Sequence, residues 1–232
     1  MHFWQLTEIE IEALKLSLRV SMWSVAISLP AGIFISWLLA RHKFPGKNII
    51  DGIIHLPLVI PPVVTGYLLL ILLGRNGAIG ALLYKYTGIV LAFNWKGAVL
   101  AAAVMSFPLL VRSVRLSIEG VDQGLEAAAR TLGAGPLRVF FTVTLPLTIP
   151  GIITGMILAF ARSLGEFGAT ITFVSNIQGQ TQTIPLALYT FTQVPDGEIG
   201  AMRLCILSVF IAMAALICSE LISRRFSARL RG

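Results

Sequence analysis

The chain has 232 residues, of which 56% are hydrophobic and only 12% charged, with a mean hydropathy of +0.85. A soluble domain carries about twice that share of charge and has no interior large enough for so much apolar surface, so the implied solvent is lipid. The net charge of +7 has the sign of a nucleic-acid binder, but its distribution along the chain gives it another meaning.

Crossing roughly 30 Å of hydrocarbon takes about 20 helical residues. Five runs qualify, at about 14–40, 50–73, 97–115, 147–169 and 200–222. The expected architecture is an all-α integral membrane protein, a bundle of about five transmembrane helices. The first span is a poor signal peptide: it has no basic leader and no convincing small-residue cleavage site, and the basic cluster RHKFPGK follows it. The second holds Pro57, Pro61 and Pro62. Each proline removes a backbone donor and frees a carbonyl, which in a membrane must be satisfied by protein or a wet cavity. A pore-lining bend and a plain structural kink are both open, and the bend is favoured because three such prolines are costly against lipid.

The fourth span presents Gly151, Gly155, Ala159 and Ser163 at four-residue intervals. That is a small-residue face suited to a close seam with another helix, within the chain or across a dimer. Arg162 and Glu166 form the one opposite-charge pair expected at membrane depth. Counted from Thr148, Arg162 falls roughly 21 Å along the axis and Glu166 near the far boundary. A gate or guide for an anion competes with a self-neutralising structural pair. The structural pair is favoured, since a free cation traps a dianion instead of passing it. Residues 181–193 read as a short helix starting at Pro185. Cys205 and Cys218 lie in the fifth span, and the histidines (His2, His42, His55) show no ligand spacing.

Basic residues orient the spans. The flanks at 41–47, 112–138 and beyond 223 hold eleven Lys or Arg, against six in the opposite set (Lys15, Arg19, Arg75, Lys85, Lys96 and Arg203). This places the C-terminus and the 112–138 segment in the cytoplasm and the N-terminus, with Glu8, Glu10 and Glu12, outside. The positive charge is therefore mostly topological, and no nucleic-acid partner follows from it.

Residues 121–146 interrupt the apolar pattern. Asp122 is an N-cap for a helix to about Leu132, with Leu125, Ala128, Ala129 and Leu132 on one face and Glu126 and Arg130 as an i,i+4 pair on another. Gly133 suits a C′ position, and Pro136 the first position of a second, apolar helix ending at Pro146. An amphipathic helix lying on the membrane surface is the plain alternative. A DNA-reading helix-turn-helix is rejected, because its second helix, RVFFTVTLP, is too apolar for a groove.

Residues 126–146 resemble the EAA loop of ABC-importer permeases, whose pattern is EAA, three residues, Gly, nine residues, then I-x-L-P. Gly133, Val143, Leu145 and Pro146 match the second half. Counting back from Gly133 puts the family's glutamate at Ala127, with Ala128 and Ala129 as its alanines, whereas the acid here is Glu126, one residue earlier. The resemblance implies that this helix docks in a cytoplasmic ATPase and carries its closure into the membrane. Three further segments, HLPLVIPPVVTGYLLL, MSFPLLVRSVRLSIEGVD and FARSLGEFGATITFVSN, resemble the permease subunit of molybdate importers; sulfate permeases share a motif like Ser163–Gly168, and a permease for sulfate or tungstate is the alternative. The resemblance implies a homodimeric MetI-like permease fold in the inner membrane. It further implies two cytoplasmic ABC ATPases that carry the ATP and Mg, no cofactor on this chain itself, and a periplasmic oxyanion-binding protein that sets the cargo.

The competing classes are less well supported. No GxxxxGK[ST] loop occurs, and an ion-coupled secondary transporter would need more titratable groups near the midplane and an even, inverted repeat. An intramembrane enzyme would need a Ser/His pair, HExxH or paired carboxylates in a span, and none is present.

Overall fold

A computed structural model describes residues 5–231, and the side chains at 219, 220 and 222–231 lie outside the described set. His2 and the side chains of the basic tail beyond Ser223 therefore remain statements of sequence. Eleven α-helices and one π-helical turn make up the described chain: α1 (Glu8–Arg41), α2 (Lys47–Val59), α3 (Pro62–Leu73), α4 (Ala78–Thr87), α5 (Trp95–Glu119), α6 (Gln123–Thr131), α7 (Pro136–Val139), the π turn (Phe140–Thr144), α8 (Leu145–Leu164), α9 (Gly168–Val174), α10 (Ile184–Thr192) and α11 (Glu198–Arg231).

Among the described residues, four helical runs are long and apolar enough to cross a bilayer: Glu8–Arg41, Trp95–Glu119, Pro136–Leu164 and Glu198–Cys218. The pair α2–α3 makes a fifth if counted as one span, but it is bent by 115°. The single span expected at 50–73 is thus two half-helices. Their break falls at Ile60–Pro61, where Pro61 and Pro62 cannot donate to the preceding turn. Pro57 lies inside α2 without ending it.

The core is α1, α5 and α8. α1 opens with a capping box, in which Thr7 and Glu10 satisfy each other's backbone N–H groups. Its inward face is a stripe of serines, each buried with a partner where one is in reach. Ser17 accepts from the Ile184 N–H at 2.7 Å, Ser24 and Ser163 share a hydrogen bond of 2.8 Å, and Ser36 donates to Val111 C=O at 3.0 Å. α5, capped by Asn94, fills the centre with Ala98, Ala101, Ala102, Met105 and Leu110. The small face of α8 seats against α5 and α1 of the same chain: a methyl on Gly151 would lie 2.2 Å from Ser117 Cβ, and one on Gly155 3.1 Å from Leu110 Cδ1. Ala159 is fully buried. This seam is intramolecular, so the small residues are not left over for a contact across a dimer.

Two other expectations change. The helix after Pro136 does not end at Pro146 but continues into α8, through a π turn in which Leu145 N–H donates to Phe140 C=O. That wider turn gives the Pro146 ring room and absorbs its missing donor at the junction. The span expected at 147–169 stops at Leu164, capped by Gly165, and restarts as α9. The outer faces of α2, α3, α4 and α11 are apolar and exposed, as in Val59, Tyr86 and Phe210, which fits a lipid boundary.

Candidate functional site

The α6 loop is built by local chemistry. The Asp122 carboxylate accepts from the Gly124 N–H at 2.8 Å and starts the helix. Gly133, at φ +84°, ends it: Gly133 N–H donates to Arg130 C=O and Ala134 N–H to Ala129 C=O, the paired bonds of a left-handed glycine stop. Gly135 and Pro136 then open α7.

The placement of Glu126 could not be read from spacing alone. Arg130 is 3.7 Å away, but the carboxylate is buried and its closer partners come from elsewhere. Arg41, the last residue of α1, lies 3.0 Å from its Oε1, and Thr144 in the π turn donates to the same oxygen at 2.8 Å. Arg41 also donates to Val121 C=O at 3.0 Å, just ahead of α6. Trp37 packs edge-on against Phe140 beside this cluster. One guanidinium therefore clamps the approach and first turn of α6 to α1, and the shared carboxylate carries the clamp to the turn that feeds α8. Sequence reasoning missed Arg41 and Thr144. The signal was the arginine that opens the basic cluster RHKFPGK after the first span, which was counted only as a topology marker.

What the clamp leaves outside is apolar and small. Leu125, Ala127 and Ala128 are exposed, Ala129 half-buried, and Leu132 is 89% exposed. A side chain added at Gly133 would meet open space. Leu145 is half-buried against the core cluster around Leu110 and Ile152, and Pro146 is exposed.

The membrane-depth charges sit where two broken spans meet. A methyl on Gly168, at the start of α9, would lie 2.8 Å from Pro62 Cβ at the start of α3, and Gly66 abuts the Ala169 backbone. Arg162 and Glu166 are 2.6 Å apart. Glu166 is not on the helix of Arg162, as the spacing predicted; it lies past the Gly165 stop, and its Oε1 accepts from Ala169 N–H at 2.8 Å. The buried carboxylate thus binds the end of α8 to the start of α9, while Arg162 keeps partial exposure.

Residues 28–232 match the family described as binding-protein-dependent transport system inner membrane component. The chain belongs to that family. Among curated relatives, it is 65% identical over 219 residues to the Molybdenum transport system permease protein ModB of Escherichia coli (strain K12), covering 94% of this chain and 96% of the relative. It is 58% identical over 221 residues to the protein of that name from Haemophilus influenzae, covering 95% and 96%. Among solved structures, its backbone resembles that of a bacterial ABC transporter involved in the import of alginate. The TM-score is 0.75 at 18% identity, over 95% of this chain and 80% of that one. At that identity the likeness speaks for the fold. This inner-membrane component accordingly has the ABC permease fold and crosses the membrane several times.

Proposed function

We propose that this chain is the membrane-spanning subunit of an ATP-driven importer of molybdate, working as a homodimer with two cytoplasmic ABC ATPases and a periplasmic oxyanion-binding protein. ATP and Mg belong to the ATPases. The N-terminus lies outside, and α6 and the C-terminus lie in the cytoplasm. The observation that carries the reading is α6 itself, whose glutamate is drawn into the bundle while its leucines and alanines stay outside. A surface of that kind accepts a partner closely and transmits the partner's movement through a buried clamp. Closure of the ATPases displaces α6; Arg41 and Thr144 hand the displacement to α1 and α8, and the bundles rock between inward and outward access. The junction of broken helices around Pro57, Pro61, Pro62, Arg162 and Glu166 is the path, because backbone interruptions at membrane depth are tolerated where they line a cavity. Molybdate as cargo is supported by likeness to the molybdenum permeases.

The test is uptake into vesicles holding this chain with its ATPase and binding protein. Molybdate should accumulate only with ATP, and excess sulfate should leave uptake intact. Preferred uptake of sulfate or tungstate would replace the cargo. Uptake by this chain alone on a proton or sodium gradient would replace the mechanism. Labelling of a cysteine placed at Ala134 from outside intact cells would reverse the orientation.

A further inference from the structure

One hollow on the bundle's side is untouched by coupling or by the broken-helix junction. It has a volume of about 320 Å³, lies between α1 and α5, and is walled by Trp23, Ile27, Trp95, Val99, Leu100 and Ala103. Its rim is cationic. Lys96 lines the mouth, and Arg19 lays its guanidinium 3.8 Å above the Trp95 ring centroid. An adjoining hollow adds Lys15 and Gln182, with Glu12 as its one carboxylate. Among the described residues, Lys15, Arg19 and Lys96 are all exposed and none makes an ion pair.

Depth is aligned as well as charge. Arg19, Trp23 and Ile27 follow one another at four-residue intervals, so they form one stripe that descends about 12 Å from cation to aliphatic floor. α5 runs parallel to α1, since Arg19 meets Trp95 at one end and Ser36 bonds Val111 at the other. The apolar spans of both helices begin just past these cations, at Val20 and Gly97. The sequence from exposed cation to tryptophan to greasy slot matches the profile of a bilayer interface, where indoles sit at the headgroup level. The geometry points to a binding site for one anionic glycerophospholipid, its phosphate between Arg19 and Lys96 and an acyl chain along Trp23 and Ile27. A neutral lipid fills the slot equally well but leaves the cations unmatched, and charge complementarity selects the anionic class.

The experiment uses the full chain in phosphatidylcholine vesicles, with Trp4→Phe and Trp37→Phe leaving Trp23 and Trp95 as fluorophores. Brominated phosphatidylglycerol and brominated phosphatidylcholine are titrated as quenchers at fixed ionic strength. Half-quenching should need about fivefold less phosphatidylglycerol, the advantage expected of one basic residue near an anionic headgroup. Arg19→Gln with Lys96→Gln should bring the two curves together, Lys85→Gln on α4 should leave them apart, and Ala103→Leu should weaken quenching by both. If the double variant fails to fold, Lys96→Gln alone must narrow the gap. Coincident curves for the starting protein, or a gap indifferent to Arg19 and Lys96, would overturn the site. A gap erased by millimolar inorganic phosphate would overturn it too, in favour of a soluble anion.

Discussion

The two ends of α1 are both pinned by ion pairs taken out of solvent, yet they are pinned to different things. At its start, Glu10 is fully buried and meets Arg203 of α11 at 2.9 Å while completing the capping box of its own helix. At its end, Arg41 meets Glu126 of α6 at 3.0 Å, with Thr144 on the same carboxylate. The first pair joins two long helices of the bundle; the second joins the bundle to a nine-residue helix whose remaining surface, apart from the half-buried Ala129, is exposed. A buried pair of the first kind fixes architecture. One of the second kind suits the proposed transmission of displacement, because only there is one partner free to be moved from outside.

That contrast can be broken at either end. Arg41→Ala or Glu126→Ala should lower transport per ATP hydrolysed by more than about tenfold in assembled vesicles, since removing one member of a buried pair costs about 3–5 kcal/mol. The exchange Arg41→Glu with Glu126→Arg should recover part of the coupling. Loss of folding with no change in that ratio would show the pair to be architectural. Glu10→Ala should cost a similar 3–5 kcal/mol in detergent stability while sparing the ratio, and a changed ratio would erase the distinction between the two ends. Gly151→Ala should destabilise by about 1–3 kcal/mol, because its new methyl collides with Ser117 in the α5–α8 seam; thermal unfolding reads this directly. Ser24→Ala, which removes the bond to Ser163, should cost only about 0.6 kcal/mol, a shift visible in denaturant titration.

Much of the fold was legible because lipid imposes length and hydropathy on any helix that crosses it. α1, α5 and the apolar part of α11 follow from composition alone. Elements set by single residues were less legible. Three prolines announced a disturbance near residue 60, but not that it would bend the chain by 115°. The fourth span was expected to run on to residue 169, yet Gly165 stops α8 and puts Glu166 beyond the helix end. At the coupling loop, Asp122, Gly133 and Pro136 declared their roles because caps and stops are local. The burial of Glu126 was hidden, since its partner Arg41 is 85 residues away. That partnership also gives a physical account of the offset glutamate: its task in this chain is to face inward, and the positions beside it are the ones left outside.

The length of α1 has a further consequence. Its 34 residues make a rod of about 50 Å, but the uncharged stretch between Arg19 and Arg41 covers only about 33 Å of it. The remaining three turns, Glu8 to Leu18, carry three glutamates and a lysine, which suits the polar interface, and are braced by α11 through Arg203. A thinner bilayer must therefore be met by leaning, since neither end can slip past its ion pair, and changes in membrane thickness should reach α6 as a tilt of the rod to which it is fastened.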